Sequence, residues 1–80
     1  MANYESLARR YARKYGLDPN VFVRQIRQES GFNPHARSPA GATGIAQIMP
    51  ATAKGWGINP NDPKASLTAA AKNMASYVKK

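Results

Sequence analysis

The chain contains no cysteine, only four acidic residues and a single histidine. Without cysteine there are no disulfides and no thiolate metal ligands. A chain of 80 residues lies near the lower size at which an apolar core sustains itself, so stability has to come from packing. There is room for one domain, residues 1–80. His35 has no second histidine and no carboxylate at ligand spacing, so no metal or other cofactor is expected. Long apolar runs are missing as well. The longest uncharged stretch, Ser38 to Ala53, is broken by Pro39, Gly41, Gly44 and Pro50 and carries Thr43 and Gln47, which excludes a transmembrane helix and gives no reason to expect membrane insertion. The N-terminal segment carries Glu5, Arg9, Arg10, Arg13 and Lys14 without a hydrophobic run, and reads as having no secretory signal. Against the four acids stand twelve Lys and Arg, a net charge of +8. Such a balance attracts an anionic polymer: nucleic acid, cell-wall glycan or an acidic membrane surface. Charge does not choose among them.

Helical periodicity fills much of what is present. Tyr4, Leu7, Ala8, Tyr11, Ala12 and Tyr15 recur on one face, and Gly16 follows as a C-terminal stop. Asp18 is placed to cap a second helix with Pro19 in its first position, and Leu17 and Phe22 occupy the two places of a hydrophobic staple. This helix is predicted to run to Ser30. Residues 31–43 are dense in Gly, Pro, Ser and Asn and predict an ordered but irregular loop. Gly44 to Met49 reads as extended chain or a tight turn, and Pro50 as the start of a short helix through Lys54 that ends near Gly55 or Gly57. Asn59 to Pro63 reads as a turn, after which Ser66 is expected to cap a last helix, Leu67 to Val78, with Leu67, Ala70, Ala71, Met74, Tyr77 and Val78 on its apolar face.

One residue stands out chemically. Phe22, Ile26 and Glu29 fall on a single stripe of the second helix, which puts a carboxylate beside the core in the last turn, just before glycine. Partial burial and the negative end of the helix would both disfavour the charged form and suit Glu29 to act as a general acid. The plainer reading is a surface ion pair with Arg24, Arg27 or another nearby cation. Glycosidases commonly use two carboxyl groups. Here Glu5 lies in the polar start of the first helix, Asp18 caps the second, and Asp62 precedes a proline in a turn. If Glu29 cleaves a glycosidic bond, it works alone, as acid and then as base.

The order of short motifs is specific. Glu29-Ser30-Gly31-Phe32-Asn33-Pro34, Ser38-Pro39-Ala40-Gly41-Ala42, Gly44-Ile45-Ala46-Gln47 and Met49-Pro50-Ala51-Thr52-Ala53 together resemble the soluble lytic transglycosylase family. Weaker similarity extends to Tyr11–Gly16 and Ala69–Lys72. The resemblance implies a mainly α domain of the lysozyme-like α+β superfamily, in which an irregular loop or short extended segment forms a substrate cleft. It implies cleavage of peptidoglycan between N-acetylmuramic acid and N-acetylglucosamine, with Glu29 as acid and base and a 1,6-anhydromuramoyl product. Stabilisation of the developing cation by the sugar's own acetamido group would account for the missing second carboxylate. Peptidoglycan glycan strands would be the partner. By the same resemblance, Ser30, Ser38, Gln47 and Met49 fall among the substrate-contacting positions. The plainer alternatives are a turn residue for Ser38 and core packing for Met49.

Three features depart from the family pattern. Ala46 stands where methionine is common, Asn73 stands where tyrosine is common, and the sequence ends before a downstream segment that supplies a further tyrosine, so the domain is expected to lack the family's C-terminal part. Gly41 and Gly44 are read as permitting a turn, His35 as exposed, and Trp56 as a core residue, with stacking on a sugar face as the alternative. The expected place of action is the bacterial cell wall, periplasmic or extracellular, with a phage or virion-associated origin in view. Two rival readings stay open. One is a non-catalytic peptidoglycan-binding or virion structural module of the same fold. The other is a basic helical domain that binds nucleic acid, against which stands the scatter of its positive residues along the chain, without a recognition-helix motif. The oligomeric state is not legible.

Overall fold

A computed structural model describes residues 3–78, with side chains through Ser76. Four helices follow one another: α1 (Tyr4–Lys14), α2 (Pro19–Ser30), α3 (Pro50–Trp56) and α4 (Pro63–Val78). The expected mainly α architecture is what is found, with no named strand among the described residues.

Helix α1 begins at Asn3, whose side chain accepts a hydrogen bond from the Ser6 N–H at 3.0 Å. Its small residues Ala8 and Ala12 are fully buried. That lets α1 lie close against both α2 and α4, while Tyr4, Leu7, Tyr11 and Tyr15 pack around the edge of the core. The helix ends as the glycine signal predicts, with Gly16 at φ 77°. Asp18 caps α2 by accepting from the Asn20 N–H at 2.9 Å, with Pro19 in the first turn. Leu17 and Phe22 both join the main core cluster, along with Val23 and Ile26. Burying side chains of this size stabilises the fold by about 1.5–3 kcal/mol each.

The last helix starts earlier than its periodicity suggests. Asp62, not Ser66, occupies the capping place: its Oδ1 accepts from the N–H groups of Lys64 (3.1 Å) and Ala65 (3.3 Å), and Pro63 opens the helix. This repeats the Asp-Pro signal of α2. Ser66 is instead fully buried inside the first turn and donates to the Pro60 carbonyl at 3.0 Å. Leu67, Ala71 and Ala75 are buried, with Ala70 and Met74 packed against them. The expected places of the Tyr77 and Val78 side chains lie outside the described residues.

Between α2 and α3 the chain is irregular but tightly bonded. Isolated antiparallel bridges join Arg37 to Thr43 and Thr43 to Ile48, closing a tight turn over residues 44–47 that drives Ile45 into the core. Gly44 is indispensable to this turn. Its φ is 82°, its N–H donates to the Ala36 carbonyl at 2.8 Å, and a Cβ at this position would lie 1.9 Å from the Pro60 carbonyl oxygen. The turn therefore docks directly on the segment that leads into α4.

Candidate active site

The packed stripe of α2 runs out at its C-terminal end into an open groove of about 400 Å³. One wall is α2, with Gln25, Ile26 and Glu29; the other is the turn and α3, with Ala46, Gln47, Met49 and Trp56; Ala70, Asn73 and Met74 of α4 also line it. Glu29 is the only carboxylate among these lining residues.

The remaining acids are all engaged elsewhere. Glu5 accepts a hydrogen bond from Arg27 and lies 3.7 Å from Arg9, while Asp18 and Asp62 cap α2 and α4. The pairing of Arg27 with Glu5 also decides against the plainer reading of Glu29. Its nearest candidate partner on the helix turns away to α1, and among the described residues Glu29 has no ion pair and no side-chain hydrogen bond. The expected partial burial is not found. Glu29 is exposed at the groove rim, although Phe22 and Ile26 of the same stripe are buried.

Gln47 lines the groove in an unusual backbone conformation, φ 51°. Its Nε2 donates to the carbonyls of Ala36 (3.1 Å) and Gly44 (2.8 Å), so two acceptors fix which end of the amide is the nitrogen. Both donors are thereby used within the loop, leaving Oε1 as the group that could accept from a ligand. Met49 is 45% exposed and lines the groove, so core packing does not account for it.

The two serines lie outside this lining. The Ser38 hydroxyl accepts from the Ala42 N–H at 3.0 Å, closing the Ser-Pro-Ala-Gly-Ala loop on itself. The Ser30 hydroxyl donates to the Ile45 carbonyl and accepts from the Phe32 N–H at 3.2 Å. It thus ties the end of α2 to the turn and supports Phe32, a bulky residue held at φ 63°. The structure brings Glu29, Gln47 and Met49 together and assigns both serine hydroxyls to the backbone around them. His35 is exposed, and no group of three or more His, Cys, Asp or Glu side chains among the described residues could hold a metal ion. No described helix is long and apolar enough to cross a membrane.

Trp56 overturns the expectation of a core residue. It is 40% exposed and lines the groove from the last position of α3. Gly57, at φ 71°, ends α3 immediately after it. An exposed indole beside a carboxylate suits a sugar, which offers an apolar face to stack and hydroxyls to bond.

Residues 6–80 match the family model described as Transglycosylase SLT domain. The chain is 44% identical over 50 residues to a protein of Mannheimia succiniciproducens named membrane-bound lytic murein transglycosylase C, an alignment covering 62% of this chain and 14% of the relative. It is 42% identical over 55 residues to a transglycosylase of Enterobacteria phage PRD1, covering 68% of this chain and 21% of the relative. It is 44% identical over 50 residues to a soluble lytic murein transglycosylase of Salmonella typhimurium, covering 62% and 8%. The chain thus spans only a small part, 8–21%, of the length of these relatives. No solved structure matches it significantly.

Proposed function

Because the chain belongs to the transglycosylase SLT domain family, we propose that it is a peptidoglycan lytic transglycosylase that cleaves the bond from N-acetylmuramic acid to N-acetylglucosamine, with Glu29 as its sole acid and base. The observation that carries this reading is the isolation of Glu29, an unpaired carboxylate on a groove from which the other three acids are turned away.

The chemistry follows from having one carboxyl group and not two. A glycan seated in the groove lies against Glu29 and displaces water from it. Glu29 gives a proton to the glycosidic oxygen as the bond to the muramoyl C1 breaks, and the N-acetylglucosamine leaves as an alcohol. The carbonyl oxygen of the muramoyl acetamido group closes on C1 and carries the positive charge. The Glu29 carboxylate then takes the proton from the same sugar's 6-hydroxyl, whose oxygen displaces the acetamido oxygen from C1. A 1,6-anhydro ring forms, Glu29 regains its proton, and no water is consumed.

In this reading Trp56 and Met49 supply the apolar surface on which a sugar ring lies. Gln47 Oε1 accepts from a sugar hydroxyl or the acetamido N–H. Ser30 and Ser38 act at one remove by holding the turn and the loop in shape. The site of action is the bacterial cell wall. Mass analysis of the soluble products of purified sacculi tests the proposal. Anhydromuramoyl ends from the wild type and none from Glu29→Gln are expected; reducing ends would mean that water takes the place of the 6-hydroxyl. A folded wild type that binds sacculi and releases nothing would defeat the catalytic claim and favour a non-catalytic wall-binding module.

A further inference from the structure

A second groove, of about 610 Å³, adjoins the first. The two share Trp56 and Asn73 in their linings. The second groove is lined further by Tyr15 and Ile58 and by two lysines of α4, Lys64 and Lys72. Lys64 in turn borders a third depression, which also holds Arg10 and Arg13 of α1. No acidic residue lines either of these depressions, and none of the four cations forms an ion pair among the described residues. A cationic track, Lys72, Lys64, Arg10 and Arg13, therefore leads away from the groove that holds Glu29.

We infer that this track binds the carboxylate-bearing stem peptides that branch from the glycan strand, so that the substrate is held by its peptide as well as by its sugars. The inference rests on the glycan reading of the first groove and deepens it. Four unpaired cations with no acid among them suit an anionic ligand. The shared wall at Trp56 and Asn73 narrows the choice, because a ligand on the track lies beside whatever fills the glycan groove. A branch of the same polymer can occupy both grooves at once, gaining the effective concentration of a tethered second contact. Free nucleic acid or a separate phosphate polymer would gain no such advantage.

The test is calorimetric binding to the uncleaving Glu29→Gln chain at low salt, using three ligands: a glycan oligomer with its stem peptides, the same oligomer with the peptide carboxylates amidated, and a peptide-free N-acetylglucosamine oligomer. The peptide-bearing oligomer is expected to bind about five- to ten-fold more tightly than the other two, an advantage that shrinks as salt rises. Adding Lys64→Gln and Lys72→Gln together should abolish this advantage and leave peptide-free binding within about two-fold, since neither lysine lines the glycan groove. Equal affinity for all three ligands, or an advantage that survives the double substitution, overturns the track and leaves the glycan groove standing. Failure of every oligomer to bind overturns both readings together. A double variant that also loses the peptide-free oligomer shows that the lysines serve the fold or the glycan, which overturns the track as well.

Discussion

The loop of residues 31–48 and the rim of the groove lie side by side and handle their side chains in opposite ways. In the loop and at the end of α2 that leads into it, most polar side chains are engaged by nearby backbone: Ser30 with Ile45 and Phe32, Asn33 with His35, Ser38 with Ala42, Thr43 with the Gly41 carbonyl at 2.9 Å, and Gln47 with Ala36 and Gly44. On the rim, Glu29 has no partner among the described residues, and Met49 and Trp56 are exposed although they are large and apolar. An irregular segment without strands or helices has to satisfy its own backbone, and polar side chains do that work here. What is left unsatisfied beside such a loop marks where a ligand goes. On the proposed function, the difference separates residues that shape the site from residues that would meet the substrate.

Removing the rim's one carboxylate is the sharpest way to test that separation. Glu29→Gln should lower the rate of glycan cleavage about 1,000-fold or more, as expected where one group is proposed to supply both proton transfers. Its denaturation midpoint should hardly move, because an exposed, unpaired side chain contributes within about 0.5 kcal/mol to stability. A large loss of stability would place Glu29 among the shaping residues and erase the contrast.

Gly44→Ala should do the reverse. The added Cβ would meet the Pro60 carbonyl at 1.9 Å, in a backbone conformation that L-residues avoid, so either the turn or the start of α4 has to move. A loss of about 2–4 kcal/mol is expected in urea unfolding, enough to leave a domain of this size largely unfolded. A stable Gly44→Ala protein would mean that the turn does not lock onto the α4 segment. A smaller effect of the same kind is expected for Ser30→Ala, which leaves the Ile45 carbonyl and the Phe32 N–H without their partner and should cost about 1–3 kcal/mol. Glycan affinity of the folded fraction should stay within about two-fold. A larger fall in affinity at unchanged stability would return Ser30 to the residues that touch sugar.

Much of this was legible in the sequence, and the failures share a cause. The Asp18-Pro19 start, the Gly16 and Gly57 stops and the burial of Phe22 and Ile26 follow from local signals, because capping and helical periodicity act over one or two turns. The start of α4 was missed although Asp62-Pro63 repeats the α2 signal, because the surrounding Asn and Pro residues read equally well as a turn. The exposure of Glu29 and Trp56 is a tertiary fact that no local pattern contains. The motif order singled out Glu29, Gln47 and Met49, all of which line the groove. Motif order alone cannot separate Ser38 from them, since a hydroxyl bound to backbone and one bound to sugar read the same in a sequence.

Trp56 carries the smallest expected effect and the finest test of the contrast. As a rim residue, its loss in Trp56→Ala should weaken binding of a peptide-free glycan oligomer about three- to ten-fold, the scale of one aromatic stacking contact, and affect the chemical step only through occupancy. Its partial burial predicts some loss of stability too, but less than Ser30→Ala causes, because no buried polar group is orphaned. Trp56→Phe should restore most of the binding, since a phenyl ring keeps an apolar face at the end of α3. If Trp56→Ala instead unfolds the domain as Gly44→Ala should, and Trp56→Phe restores the fold without any change in glycan affinity, the indole is a core residue after all. The boundary between shaping and contacting residues would then run between Glu29 and α3, leaving the sugar to be held from the α2 side and by Gln47 and Met49.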